Sequence, residues 1–87
     1  MTIRRNQFNG KLLEIGRRLR SLRKQKKLTI SQFAEVIDLS TKMVSNYENG
    51  KNVMTIETIV KIHRRKVFEP KTLGELFEIL VISIYED

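Results

Sequence analysis

The sequence predicts an all-α fold of five helices in one small domain, and two kinds of observation carry that expectation. Apolar residues recur at helical spacing along most of the chain, beginning with Leu12, Ile15, Leu19 and Leu22,. Residues that cap helix N-termini stand ahead of the segments so marked: Thr29, Ser40, Thr55 and Thr72,. At 87 residues the chain is too short for two ordinary cores,.

Taken in order, residues 1–11 show no periodicity and read as a flexible basic arm, with Asn6, Asn9 and Gly10 ahead of the first helix,. The first helix follows from Leu12 and ends near Lys27, its apolar stripe flanked by Arg17, Arg18, Arg20, Arg23 and Lys24,. Thr29-Ile30-Ser31-Gln32 has the form of a capping box, so a second helix starts there,. It buries Phe33, Ala34 and Ile37 and stops at Asp38, a residue type that tolerates the left-handed backbone of a tight turn. Ser40 caps a third helix of about two turns, with Val44 and Tyr47 inward and Asn49-Gly50 ending it,. Thr55 opens a fourth, expected to bury Ile56, Ile59 and Val60 and to fade in the basic run His63 to Lys66, before Pro70,. Thr72-Leu73-Gly74-Glu75 is a second capping box, followed by Leu73, Leu76, Phe77, Leu80 and Ile84 at helical spacing,. The β-branched residues Ile79, Val81, Ile82 and Ile84 also suit a strand, which stands as the alternative for that stretch,.

Charge is unevenly spread. The net charge is +7, yet residues 1–27 hold ten basic residues and one acidic, while residues 67–87 hold one basic and five acidic. A basic first half suits a face on a polyanion and leaves another face for protein. No cysteine is present and there is one histidine, His63, so disulfides, thiolate metal sites and cysteine nucleophiles are excluded, and neither a metal nor a cofactor is expected,. No glycine-rich phosphate loop or paired catalytic carboxylates stand out, and an enzyme is not expected. The longest apolar run, Ile79 to Ile82, is far too short to span a bilayer, and a cytoplasmic protein with no membrane association is the expectation,.

Two short helices joined by a tight turn, the second showing Lys42, Met43, Ser45 and Asn46 outward, suit the major groove of DNA,. The residues Ile15-Gly16-Arg17-Arg18-Leu19-Arg20 through Arg23, then Leu28-Thr29, Phe33-Ala34, Val44-Ser45 and Tyr47-Glu48-Asn49-Gly50-Lys51 resemble the Cro/repressor-type helix-turn-helix family, also called the XRE family. The resemblance implies a helix-turn-helix DNA-binding domain over residues 12–66. It also implies that Thr41, Lys42, Ser45 and Asn46 read base edges, Asn46 being suited to adenine and Lys42 to guanine acceptors. Thr29 and Ile30 match positions whose backbone amides face a phosphate at the start of the second helix, and Asn49, Lys51 and Asn52 match a loop that grips the backbone. Arg23 and Glu48 match a largely buried salt bridge that ties the first helix to the third. Two departures stand out: Ile30 replaces a glutamine usual in the family, and Met43 replaces a small polar residue. Arg4, Arg5, Arg17, Arg18 and Arg20 read as a general field attracting DNA.

Residues 67–87 form the remaining unit, a C-terminal apolar helix expected to pack on the domain and on a dimer partner. Its apolar residues exceed one face, so Leu76, Phe77, Leu80, Ile82 and Ile84 are the expected dimer contacts,. A two-fold dimer would set paired third helices about 34 Å apart, over half-sites one DNA turn apart. The expected function is a sequence-specific transcriptional regulator, a repressor reading a two-fold symmetric operator in double-stranded DNA as a homodimer. The alternative is a protein-interaction module on the same scaffold, such as an autoregulating antitoxin that binds a toxin or another regulator.

Overall fold

The computed structural model describes residues 2–68 and 71–85, and side chains from residue 10 onward. All the regular elements among these residues are helical: α1 (Thr2–Gln25), α2 (Ile30–Val36), α3 (Thr41–Glu48), α4 (Ile56–Arg64) and a C-terminal rod. The rod runs without a break through α5 (Leu73–Phe77), a π-helical turn (Glu78–Ile82) and α6 (Ser83–Tyr85). The strand alternative therefore falls. The Thr72–Glu75 capping box is complete and nucleates the rod, and burial of Leu76, Leu80 and Ile84 on one side overrides the β-propensity of their neighbours,. No described helix is long and apolar enough to cross a membrane.

α1 begins well before Leu12. Residues 2–11 continue it where the lack of an apolar stripe suggests a loose arm, so no joint separates arm from domain. The stretch contains no proline, and extending an existing helix is far easier than nucleating one. The side chains of Arg4 and Arg5 lie outside the described residues.

Among the described residues, each joint between helices contains one with left-handed backbone: Lys27 (φ 59°), Asp38 (φ 57°), Gly50 (φ 71°) and Lys66 (φ 58°). At three joints the next amide reaches back five residues to close the helix end: Leu28 to Arg23, Leu39 to Ala34 and Lys51 to Asn46. This 6→1 bond captures a carbonyl the helix leaves open and sets the direction of the exit.

The core lies between α1, α2, α3, α4 and the rod. Leu19, Phe33, Ile37, Val44, Ile59, Ile62, Leu76 and Leu80 are its most deeply buried side chains. Phe68, beyond α4, closes it with its ring 5.6 Å from that of Phe33. Leu12, Ile15 and Ile84 form a second cluster that fastens the end of the rod to α1. In α4 the inward stripe is Thr58, Ile59 and Ile62, which turns Ile56 and Val60 to the other side. The expectation that Ile56 is buried is thus wrong: it is 66% exposed.

The rod turns most of the expected dimer contacts toward the core of the single chain. Leu76, Leu80 and Ile84 are buried within the single chain, Phe77 is half-buried against the same core, and Ile82 alone of the five is exposed. A small domain has a small core, and the large apolar residues of the rod are needed to close it. The π-helical turn helps this happen. Arg18 Nη1 donates to the carbonyl of Ile79 at 2.7 Å and also to Ser83 Oγ, while the Ser83 amide reaches Glu78, five residues back. A side chain inserted into the helical ladder widens it locally. In a straight α-helix residues four apart drift by about 40° per step, and a wider turn reduces that drift, keeping Leu76, Leu80 and Ile84 inward together.

Candidate nucleic-acid interface

The candidate surface is built on α3 and the connections at its two ends. α3 starts where Ser40 Oγ accepts from the Met43 amide, and its inward residues Val44 and Tyr47 anchor it to the core. Tyr47 is further held through its hydroxyl, 3.4 Å from Thr58 Oγ1 on α4. Gly16 of α1 lets α3 approach very closely. A Cβ at Gly16 would lie 2.3 Å from the Glu48 carbonyl oxygen and 2.6 Å from that of Tyr47, so any other residue would push the helices apart.

Glu48 is the only acid on α3, and it is turned inward. Its side chain is 0% exposed and meets a fork: Arg23 Nε donates to Oε2 at 2.7 Å and Arg23 Nη2 to Oε1 at 3.0 Å. The third arm, Arg23 Nη1, donates to the carbonyl of Leu28 at 2.7 Å, tying the α1–α2 turn into the same network. The Glu48 hydrogen bonds raise the pKa of Arg23 above its ordinary value, with burial opposing them,. Arg20 adds a second guanidinium, with Nε 3.2 Å from Glu48 Oε1 and Nη2 donating to Asn49 Oδ1 at 3.1 Å. Two cations around one carboxylate leave the end of α3 positive and fix the loop that follows it.

The outward face of α3 then carries Thr41 and Lys42, both exposed, with Ser45 and Asn46 half-buried beside them. Asn46 has no side-chain hydrogen bond among the described residues, whereas Ser45 Oγ accepts from Asn49 Nδ2 at 3.2 Å. Asn49 is therefore held on both sides of its amide, by Ser45 and by Arg20. Lys51 and Asn52 are exposed on the loop beyond Gly50, Asn52 Nδ2 lying 3.6 Å from Met43 Sδ. Met43 is half-buried against the core and Ile30 likewise, so both residues that depart from the family pattern contribute packing.

At the start of α2 the capping box is complete: Thr29 Oγ1 accepts from the Gln32 amide at 3.0 Å, and the Thr29 amide donates to Gln32 Oε1 at 2.8 Å. The Thr29 amide is thus already occupied.

The family model described as helix-turn-helix matches residues 19–65, more than half of the chain and all of α2, α3 and α4. The chain belongs to the Cro/repressor-type helix-turn-helix family. Comparisons with curated proteins and with solved structures gave no match. The match supports a DNA-binding regulator in the general sense of that family.

Two arginines of this helix-turn-helix protein do more than the sequence suggests. Arg18 and Arg20 read as general positive field, yet Arg18 holds the C-terminal rod and Arg20 braces Glu48 and Asn49. For Arg20 a signal was present, because it shares a helix face with Gly16 and Arg23 at helical spacing. For Arg18 none was, since besides Glu14, one turn back, the rod atoms it holds lie more than sixty residues away.

Proposed function

We propose that the protein is a sequence-specific transcriptional regulator that inserts α3 into the major groove of double-stranded DNA and represses by occupying a two-fold symmetric operator as a homodimer. The observation that carries this reading is the chemistry of the outward face of α3. It presents Thr41, Lys42, Ser45 and Asn46, while the helix's one carboxylate is neutralised in the interior. Asn46, whose amide is unengaged, is assigned to adenine, where an amide donates and accepts together; Lys42 is assigned to guanine acceptors,. Lys51, with Asn49 and Asn52 beside it, meets the phosphate backbone on one side and the amide of Ile30 meets it at the start of α2. Thr29 contributes by shaping that turn.

The test is selection from a random duplex library at physiological salt with wild-type protein and with Asn46→Ala. Wild type enriches a two-fold symmetric site, and the variant loses preference at one position per half-site at a cost of about 1–3 kcal/mol. Binding without enrichment of any site, and steeply weakened by salt, would refute sequence-specific reading.

A further inference from the structure

The side-chain hydrogen bonds at the end of α3 all run in one direction. Arg20 Nε donates to Glu48 Oε1 at 3.2 Å, and Nη2 of the same guanidinium donates to Asn49 Oδ1 at 3.1 Å. A guanidinium has donors only, so it fixes which end of the Asn49 amide it meets: the oxygen faces Arg20 and the nitrogen is left for α3. That nitrogen donates to Ser45 Oγ at 3.2 Å, one turn earlier on the helix. The Asn49 backbone amide also reaches the Ser45 carbonyl at 3.0 Å, which keeps the two residues in step. One lone pair of Ser45 Oγ is thus filled from within the protein, and its hydrogen has no acceptor among the described residues. A free serine hydroxyl donates or accepts equally well and so distinguishes few bases. This one has its hydrogen left to offer.

We infer that Arg20 is a positioning residue for base choice: acting through Asn49, it sets Ser45 to donate into the major groove, so that Ser45 rejects cytosine. The inference rests on the α3 reading of the proposed function and names which bases one of its residues admits. In the major groove guanine offers N7 and O6, thymine O4 and adenine N7 as acceptors, whereas cytosine shows only its N4 donor. Opposite that amino group the Ser45 hydrogen stays unsatisfied, and so does the hydrogen it faces. Hydrogen bonds in a chain polarise one another, so the charge on Arg20 makes the Ser45 hydroxyl a stronger donor. The direction of the chain can also be reversed. An aspartate in place of Asn49 has acceptors only; the Ser45 hydrogen then turns inward to it, and the lone pairs left outward suit the cytosine amino group.

The test is selection from a random duplex library with wild type, Ser45→Ala, Arg20→Met and Asn49→Asp, measured as relative binding to each base at each position. Ser45→Ala locates the position that Ser45 faces, as the one whose preference it flattens. There wild type disfavours cytosine against guanine by about tenfold, the cost of setting one donor against another. Arg20→Met brings cytosine to within about threefold of guanine, because the hydroxyl is again free to accept, and leaves the position read by Asn46 unchanged. Asn49→Asp places cytosine ahead of guanine, whatever the added charge costs in overall affinity. Relative preferences do not depend on the fraction of protein that is folded, so a damaged scaffold cannot imitate this pattern. A Ser45→Ala protein that flattens no position, an Arg20→Met protein that loses affinity for all sites alike, or continued rejection of cytosine by Asn49→Asp would each overturn the inference and leave the operator reading in place. A wild type that enriches no site removes the operator reading, and the role of Arg20 with it.

Discussion

Replacing Glu48 by alanine tests the support beneath the DNA-facing helix. In the native protein the carboxylate takes both forks of Arg23, whose side chain is only 8% exposed, and one donor from Arg20, which is 40% exposed. Removing the carboxylate has different effects on the two cations. Arg20 can turn to water, and its contribution as a part-exposed pair is about 1 kcal/mol or less. Arg23 cannot leave without abandoning the Leu28 carbonyl, so its charge stays buried with one acceptor instead of three hydrogen bonds. Breaking a buried pair by removing one partner costs about 3–5 kcal/mol, against a total stability of roughly 5–15 kcal/mol for a domain. At about 4–8 °C per kcal/mol for a domain of this size, Tm falls by roughly 12–40 °C. The assay is denaturant and thermal unfolding of wild type, Glu48→Ala, Arg23→Met and the double variant. The double variant should lose much less than the sum of the singles, because neither charge is then stranded. DNA affinity of Glu48→Ala, measured below its transition, should fall less than its stability does. A Tm within about 2 °C of wild type, or strictly additive losses, would refute the reasoning.

Two further outcomes are expected from the geometry. Gly16→Ala improves intrinsic helix propensity by about 1 kcal/mol, yet its methyl meets two backbone carbonyls that cannot rotate away, so a net loss of about 1–3 kcal/mol is expected,. A Gly16→Ala protein as stable as wild type in urea unfolding would show that α1 and α3 can separate without cost. Glu75 accepts from the Thr72 amide, and that hydrogen bond, with the Thr72 hydroxyl next, holds its carboxyl below the ordinary glutamate range. A depressed folded-state pKa stabilises the fold above the ordinary value of about 4.3, and the contribution is lost as pH falls through the lower folded-state value. Titration of the Glu75 carboxyl by NMR should therefore give a midpoint below that of an unstructured glutamate. A midpoint at or above it would mean that the capping box at the start of the rod does not form.

What the sequence made legible was whatever depends on neighbours within one or two helical turns. The caps at Thr29, Ser40, Thr55 and Thr72, the inward residues Phe33, Val44 and Tyr47, and the left-handed Asp38 all rest on local spacing and backbone preference. The turns at Lys27 and Lys66 were not legible, because lysine carries no preference for left-handed backbone and adopts it there only because the helix end around it closes. Ile56 misled for a related reason. Periodicity shows that one side of α4 is buried, but which side depends on where Phe68 and the rod pack. On the candidate surface, residue types marked Asn46 and Lys42, whereas the engagement of Asn49 by Arg20 depends on how far α1 reaches along α3. Leu76, Leu80 and Ile84 were recognisable as apolar, but pattern alone does not divide such residues between one chain's interior and a partner.

The widened turn at Glu78–Ile82 holds one residue more than an α-helical turn without turning the end of the chain away,. Successive residues of an α-helix are rotated by about 100°, and the wider turn spends less rotation on each, so the rod after Ile82 keeps the bearing of an α-helix one residue shorter,. Removing one, Val81 for instance, would let the rod relax into an ordinary α-helix with every local hydrogen bond satisfied. Ile84 would then follow Leu76 by seven residues, about two helical turns, and would still face Leu12 and Ile15,. Length here behaves as slack: the rod can take up or give back one residue at this turn while its end stays fastened to the first helix.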